Sequence, residues 1–128
     1  MKDIAHPDKA FQHGRFSSAI ECDGWLHISG QGPLDMKTGQ RVAGTIEEET
    51  QLTLEHIEKI LHAAGYQKSD IVKCTCYLRD MDDFDGFNRQ YAAFFNEPLP
   101  ARTTVGAVLM KGIRVEIDAI ARRRNVAS

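Results

Sequence analysis

The chain has 128 residues, a formal net charge of -2 and 42% hydrophobic content. That size suits one domain spanning residues 1–128 with one core, and the charge gives no general attraction to nucleic acid or to an anionic membrane. The first ten residues include Lys2, Asp3, Asp8 and Lys9, so no apolar signal core is visible. No apolar run approaches the roughly 20 residues that span a bilayer, and the expected compartment is the cytoplasm. Three cysteines are too few, and odd in number, for a disulfide framework.

Residues Phe16 to Cys22 are compatible with a strand, and Asp23-Gly24 signals a hairpin into Trp25–Gln31. There Leu26 and Ile28 fall on one side, and Trp25, His27 and Ser29 on the other. A loop with Pro33, Asp35 and Gly39 follows, and Gln40 to Ala43 can add a short strand. Thr45 and Glu48 form a capping box. Ile46, Thr50, Leu54, Ile57, Leu61 and Ala64 then follow the helical period, and Gly65 supplies a left-handed stop. His56 and His62 are six apart on this helix and point in different directions, so they do not form a metal pair.

Ile71 to Arg79 reads as a strand with Val72, Cys74, Cys76 and Leu78 on its apolar face. Cys74 and Cys76 are read as two small buried hydrophobes rather than a metal or redox pair. Asp80 can cap a second helix, with Asp82, Asp83 and Asp85 at its positive end. The acidic cluster does not fit a calcium loop. Phe84 and Tyr91 stand where an EF-hand needs an oxygen ligand and its final Glu. Phe84, Phe87, Tyr91, Phe94 and Phe95 form a buried stripe, and Pro98 and Pro100 end the element.

Two further strands, 102–109 and 114–121, are joined by a loop short enough for a hairpin. Their odd positions are small or apolar and suit a helix-covered face. Arg102, Thr104, Glu116 and Asp118 then share the opposite face with Lys73, Thr75 and Tyr77. The expected architecture is α+β, a mixed sheet with two helices on one face. Arg122-Arg123-Arg124 is read as a solvated end rather than an RNA contact.

The segment from Pro100 to Val105 followed by that from Val115 to Ala121 resembles the C-terminal signature of the RidA/YjgF family. Ile28-Ser29-Gly30-Gln31-Gly32-Pro33 is similar to its S-G-Q segment. Ala63-Ala64-Gly65, Ile71-Val72-Lys73, Tyr77-Leu78-Arg79-Asp80 and Asn88 with Tyr91, Phe94 and Phe95 follow in order. The resemblance implies a chorismate-mutase-like fold and a homotrimer with ligand clefts between subunits. It also implies hydrolytic deamination of small 2-imino and enamine acids to 2-keto acids and ammonia, with no metal and no organic cofactor. Under it, Arg102 holds the substrate carboxylate and Glu116 positions water, with Thr104 able to donate its hydroxyl. Gly30, Ser29, Phe16 and Asn88 border the ligand. Two alternatives are a keto-acid-binding regulator without turnover, and a ribonuclease or translation inhibitor, which the near-neutral charge disfavours. Three positions depart from the family pattern. Phe16 replaces a common tyrosine next to an added Arg15, Thr104 stands where cysteine is frequent, and Glu49 where glutamine is common.

Overall fold

The structure, a computed structural model, describes residues 1–11 and 14–124. The elements run β1 (Lys2–Ile4), β2 (Ala19–Cys22), β3 (Trp25–Gln31), α1 (Ile46–Ala63), β4 (Ile71–Leu78), α2 (Phe84–Phe94), β5 (Ala101–Gly106) and β6 (Val115–Arg122). The strands make one six-stranded sheet in the order β1-β2-β3-β6-β4-β5. Alternation in β6 explains its central place. Val115, Ile117, Ala119 and Ala121 are buried under the two helices, while Glu116 and Asp118 point to the helix-free face. No helix among the described residues is long and apolar enough to cross a membrane.

Local chemistry accounts for the boundaries. Asp23 and Gly24 both take positive φ, 54° and 82°, which the tight β2–β3 hairpin requires. Thr45 accepts from the Glu48 backbone N–H at 3.1 Å, and Glu48 accepts from the Thr45 N–H at 2.8 Å. Such a cap contributes about 1 kcal/mol. Asp80 caps a 3-10 turn, Met81–Asp83, rather than α2 itself.

Three expectations are corrected. Residues 40–43 form no strand; Leu34 and Arg41 make one isolated bridge. An irregularity between Ile71 and Lys73 buries Ile71 and turns Val72 outward, 43% exposed. The C-terminal arginines are exposed, as a solvated end requires, and each also rests on a neighbour. Arg122 lies over Trp25, Arg123 over Tyr66, and Arg124 pairs with Asp70 at 3.7 Å. Finally, β5 and β6 are not a hairpin. Helix α2 carries the chain from β4 to a parallel β5, as a strand–helix–strand unit requires, and β4 lies between β5 and β6.

A buried ionic knot joins the start of α1 to the start of β6. Glu49, 1% exposed, accepts from Arg41 Nη2 at 2.6 Å, Gly44 N at 3.2 Å and Arg114 N at 2.9 Å. Arg114 extends to Asp83 at 3.3 Å. Cys74 and Cys76 lie wholly within the core, where burial pushes their thiols up to about 11 and about 12. Such thiols stay protonated and behave as small hydrophobes.

Candidate active site

An open cleft of about 620 Å³ lies where the end of β3 meets the start of β6, bounded by Phe16, Ser29, Gly30, Leu34, Ile113 and Glu116. The β3–β6 register shifts between Ile28 and Gln31. Such an irregularity re-aims side chains, and Ser29 and Gly30 sit at it. The Ser29 hydroxyl donates to the Ser17 carbonyl at 2.7 Å, which ties the chain beside Phe16 to β3. Gly30 is required by close approach. A Cβ there would collide with Glu116 Oε2 and lie 2.9 Å from its Cδ.

Glu116 is half-buried in this cleft. Burial first, and the neighbouring Asp118 second, hold its carboxyl above the usual carboxylate range. Asp118 in turn accepts from the Tyr77 hydroxyl at 2.9 Å. A carboxyl with a raised pKa can exchange a proton with a ligand closer to neutral pH.

Arg102 belongs to a different environment. The parallel register pairs Arg102 with Cys74 and Thr104 with Cys76, so both share the helix-covered face with those buried thiols. The Arg102 guanidinium lies 4.8 Å over the Tyr91 ring and within 5.7 Å of the Phe87 and Phe84 rings. Its Nη1 donates to Asn88 Oδ1 at 2.7 Å. Among the described residues no carboxylate pairs with Arg102, and the buried Thr104 hydroxyl has no hydrogen-bond partner. The aromatic stripe of α2 therefore forms core and also supports a cation.

One chain thus brings Phe16, Ser29, Gly30 and Glu116 to one cleft, and groups Arg102, Asn88 and Thr104 at edge strand β5 on the opposite face. The expectation that Arg102, Thr104 and Glu116 share a face is overturned, because a parallel partner rather than a hairpin sets the parity of β5. The sequence reading missed the cleft wall contributed by Leu34, Ile113 and Lys111. Lys111 takes a left-handed φ of 61°, and the following Gly112 is the one local signal for that turn. Among the described residues, no group of three or more His, Cys, Asp or Glu is placed to hold a metal ion.

The family described as Endoribonuclease L-PSP matches residues 8–123. A RutC family protein of Pyrococcus horikoshii is 44% identical over 94% of this chain and 98% of its own. A 2-iminobutanoate/2-iminopropanoate deaminase of Mus musculus is 43% identical over 84% of this chain and 81% of its own. The crystal structure of E. coli TdcF with bound serine superposes with a TM-score of 0.89 at 31% identity, covering 97% of this chain and 100% of that one.

Proposed function

Because the chain belongs to the Endoribonuclease L-PSP family, which is the RidA/YjgF family, we propose that it hydrolyses small 2-imino acids to 2-keto acids and ammonia. The observation that carries this reading is the Arg102 guanidinium, held by Asn88 and three aromatic rings with no carboxylate partner among the described residues. A half-buried cation without an anion is a site for one, and a planar fork suits a carboxylate better than a point charge does.

In this reading two copies build one site. Arg102 and Glu116 lie on opposite faces of one sheet, so Arg102 at the β5 edge of one copy serves the Glu116 cleft of another, within a homotrimer. Arg102 binds the substrate carboxylate and Thr104 adds its hydroxyl. The imine reacts as its N-protonated form: Glu116 accepts a proton from water as the oxygen adds to C2, and the C=N π pair moves to nitrogen to give a neutral carbinolamine. The carbinolamine collapses when Glu116 returns that proton to the nitrogen: the C–N bond breaks with its electron pair leaving on ammonia, the hydroxyl oxygen forms the C=O bond of the keto acid, and the hydroxyl proton passes back to Glu116 and on to solvent. Enamines enter after tautomerising to the imine.

The test generates 2-iminobutanoate in situ with an amino-acid oxidase and follows its loss against buffer. Acceleration by the protein supports the reading; none sinks it. If 2-oxobutanoate binds without any turnover, the chain is instead a keto-acid-binding protein.

Two variants bear on Glu116. Glu116→Gln is expected to lower kcat about a hundredfold, within the usual range for a positioned acid–base. Its stability should move the other way. A carboxyl whose folded pKa is raised adds stability below its unfolded pKa and loses it as pH rises through the folded value. Glutamine removes that loss, so Glu116→Gln should melt slightly above the wild type at neutral pH. A lower Tm there contradicts the buried-carboxyl account. Gly30→Ala forces the Glu116 carboxyl aside and should cut turnover on the order of a hundredfold with little change in Tm. Unchanged turnover would mean that the position of Glu116 is not important.

The ribonuclease alternative has three exposed cations to draw on, Arg122, Arg123 and Arg124, a narrow patch for RNA in a chain of net charge -2.

A further inference from the structure

Behind the cleft lies a pair of buried histidines that the proposed reaction does not use. His6 and His56 are 3% and 6% exposed. Their rings meet edge-on, with His6 Nε2 2.9 Å from His56 Nδ1. The groups at the two ends decide where the protons are. The Asp8 backbone N–H donates to His6 Nδ1 at 3.0 Å, so Nδ1 is bare and His6 Nε2 carries the hydrogen. That hydrogen is donated to His56 Nδ1. His56 Nε2–H then donates to the Leu34 carbonyl at 2.8 Å. Each ring nitrogen is satisfied once, and only while both rings are neutral. A proton added at either Nδ1 turns a hydrogen bond into an N–H facing an N–H.

This relay ties three parts of the molecule together: the N-terminal segment, α1 and the loop that begins at Leu34. Leu34 borders the main cleft, and it also borders a smaller cavity of about 50 Å³ against His6 and Phe16. The same segment is clamped to the same loop elsewhere. Ala10 N–H donates to the Met36 carbonyl at 2.7 Å. A Cβ on Gly39 would come within 2.8 Å of the Phe11 ring, so the two pieces pack without a gap.

We propose that His6 and His56 are positioning residues for the cleft. As two neutral imidazoles they hold Leu34 and the His6–Phe11 segment in place, and protonation of the pair loosens that wall and weakens ligand binding. This rests on the reading of the cleft as the site of a small carboxylic acid.

The surroundings set the direction of the pH dependence. Burial is the main cause holding both rings below the ordinary histidine value of 6.5, with His6 at about 4. Lys9 on the segment and Lys59 on α1 oppose further positive charge, while Asp8 and Glu55 favour it. Lys59 and Asp8 are themselves paired at 2.6 Å. With folded values below the unfolded one, the neutral pair contributes fully above about 6.5. That contribution is lost as pH falls toward about 4. Glu116 also gains its proton in acid, but with the opposite sign, since a neutral Glu116 repels a ligand carboxylate less.

The experiment measures 2-oxobutanoate binding by calorimetry from about pH 7.5 down to about pH 4, with NMR of the ring nitrogens and of the Leu34 amide. Both rings should be Nε2–H tautomers at the upper pH. The Leu34 amide should shift as the rings titrate, and Kd should then rise by up to about tenfold per pH unit. His6→Gln cannot charge, and its amide donates to a neutral His56 or, turned over, accepts from a charged one, so it should bind normally and lose the acid effect. His6→Lys should weaken binding already at the upper pH; if it does not fold, His6→Gln decides. A ring titrating near the free value, a Leu34 amide that ignores the rings, or an unchanged acid loss in His6→Gln overturns the proposal. Absence of 2-oxobutanoate binding at every pH overturns the reading of the cleft instead, and the tautomers and the Leu34 shift still decide the positioning role.

Discussion

Arg102→Ala is expected to lower kcat/KM on 2-iminobutanoate by about a thousandfold. Truncating one partner of a desolvated charge pair costs roughly 2–5 kcal/mol, and each 1.4 kcal/mol is about a factor of ten. The loss should be mostly specific to function. Among the described residues Arg102 makes one hydrogen bond, to Asn88, and otherwise rests on the Phe84, Phe87 and Tyr91 rings. Its removal therefore costs stability only on the scale of a cation–π contact, about 1 kcal/mol. Arg102→Lys separates charge from geometry. A lysine keeps the charge and loses the fork, so an intermediate loss carried mainly by KM is expected. Asn88→Ala should show a weaker loss of the same kind, because the rings still hold the guanidinium. Wild-type turnover by Arg102→Ala would remove Arg102 from the site.

Glu49→Ala should be the most destabilising single change at the α1–β6 junction. The carboxylate receives Arg41 Nη2, Gly44 N and Arg114 N and its side chain is wholly shielded from solvent. Removing one member of a buried ion pair costs about 3–5 kcal/mol, which for a domain of this size lowers Tm on the order of 10 °C or more. Glu49→Gln keeps an acceptor for a backbone donor but leaves Arg41 without its anion, and should fall between. Arg41→Ala should be milder than Glu49→Ala, since Arg114 Nε, 3.7 Å away, still faces the carboxylate. Thermal unfolding checks all three. A Glu49→Ala protein that melts with the wild type would show that the knot adds nothing net.

Glu49 also shows how far a residue can be read before its surroundings are known. Its place on the first turn of α1 is legible from the capping box at Thr45 and Glu48. Its partners are not, because Arg41 and Arg114 reach it from a loop and from the start of a strand 65 residues on. The His6–His56 pair is similar. Fifty positions separate the rings, and nothing local marks either as buried.

The helices, the β2–β3 hairpin and the buried face of β6 follow from patterns confined to a few neighbouring residues, so the sequence alone determined them, and the resemblance around Gly30, Arg102 and Glu116 determined the family. The face of Arg102 was decided only in the tertiary structure. Alternation says that Arg102 and Thr104 point the same way, and that Glu116 and Asp118 do. It does not say whether the two pairs point together. That depends on which strand lies between them and in which direction it runs. The β4–α2–β5 crossover makes β5 parallel to β4 and sets Arg102 beside buried Cys74, while β6 turns Glu116 to the helix-free side. In β5 the local contrast points the wrong way, since Val105 lies on the outer side, 39% exposed, while Arg102 and Thr104 sit beside buried Cys74 and Cys76.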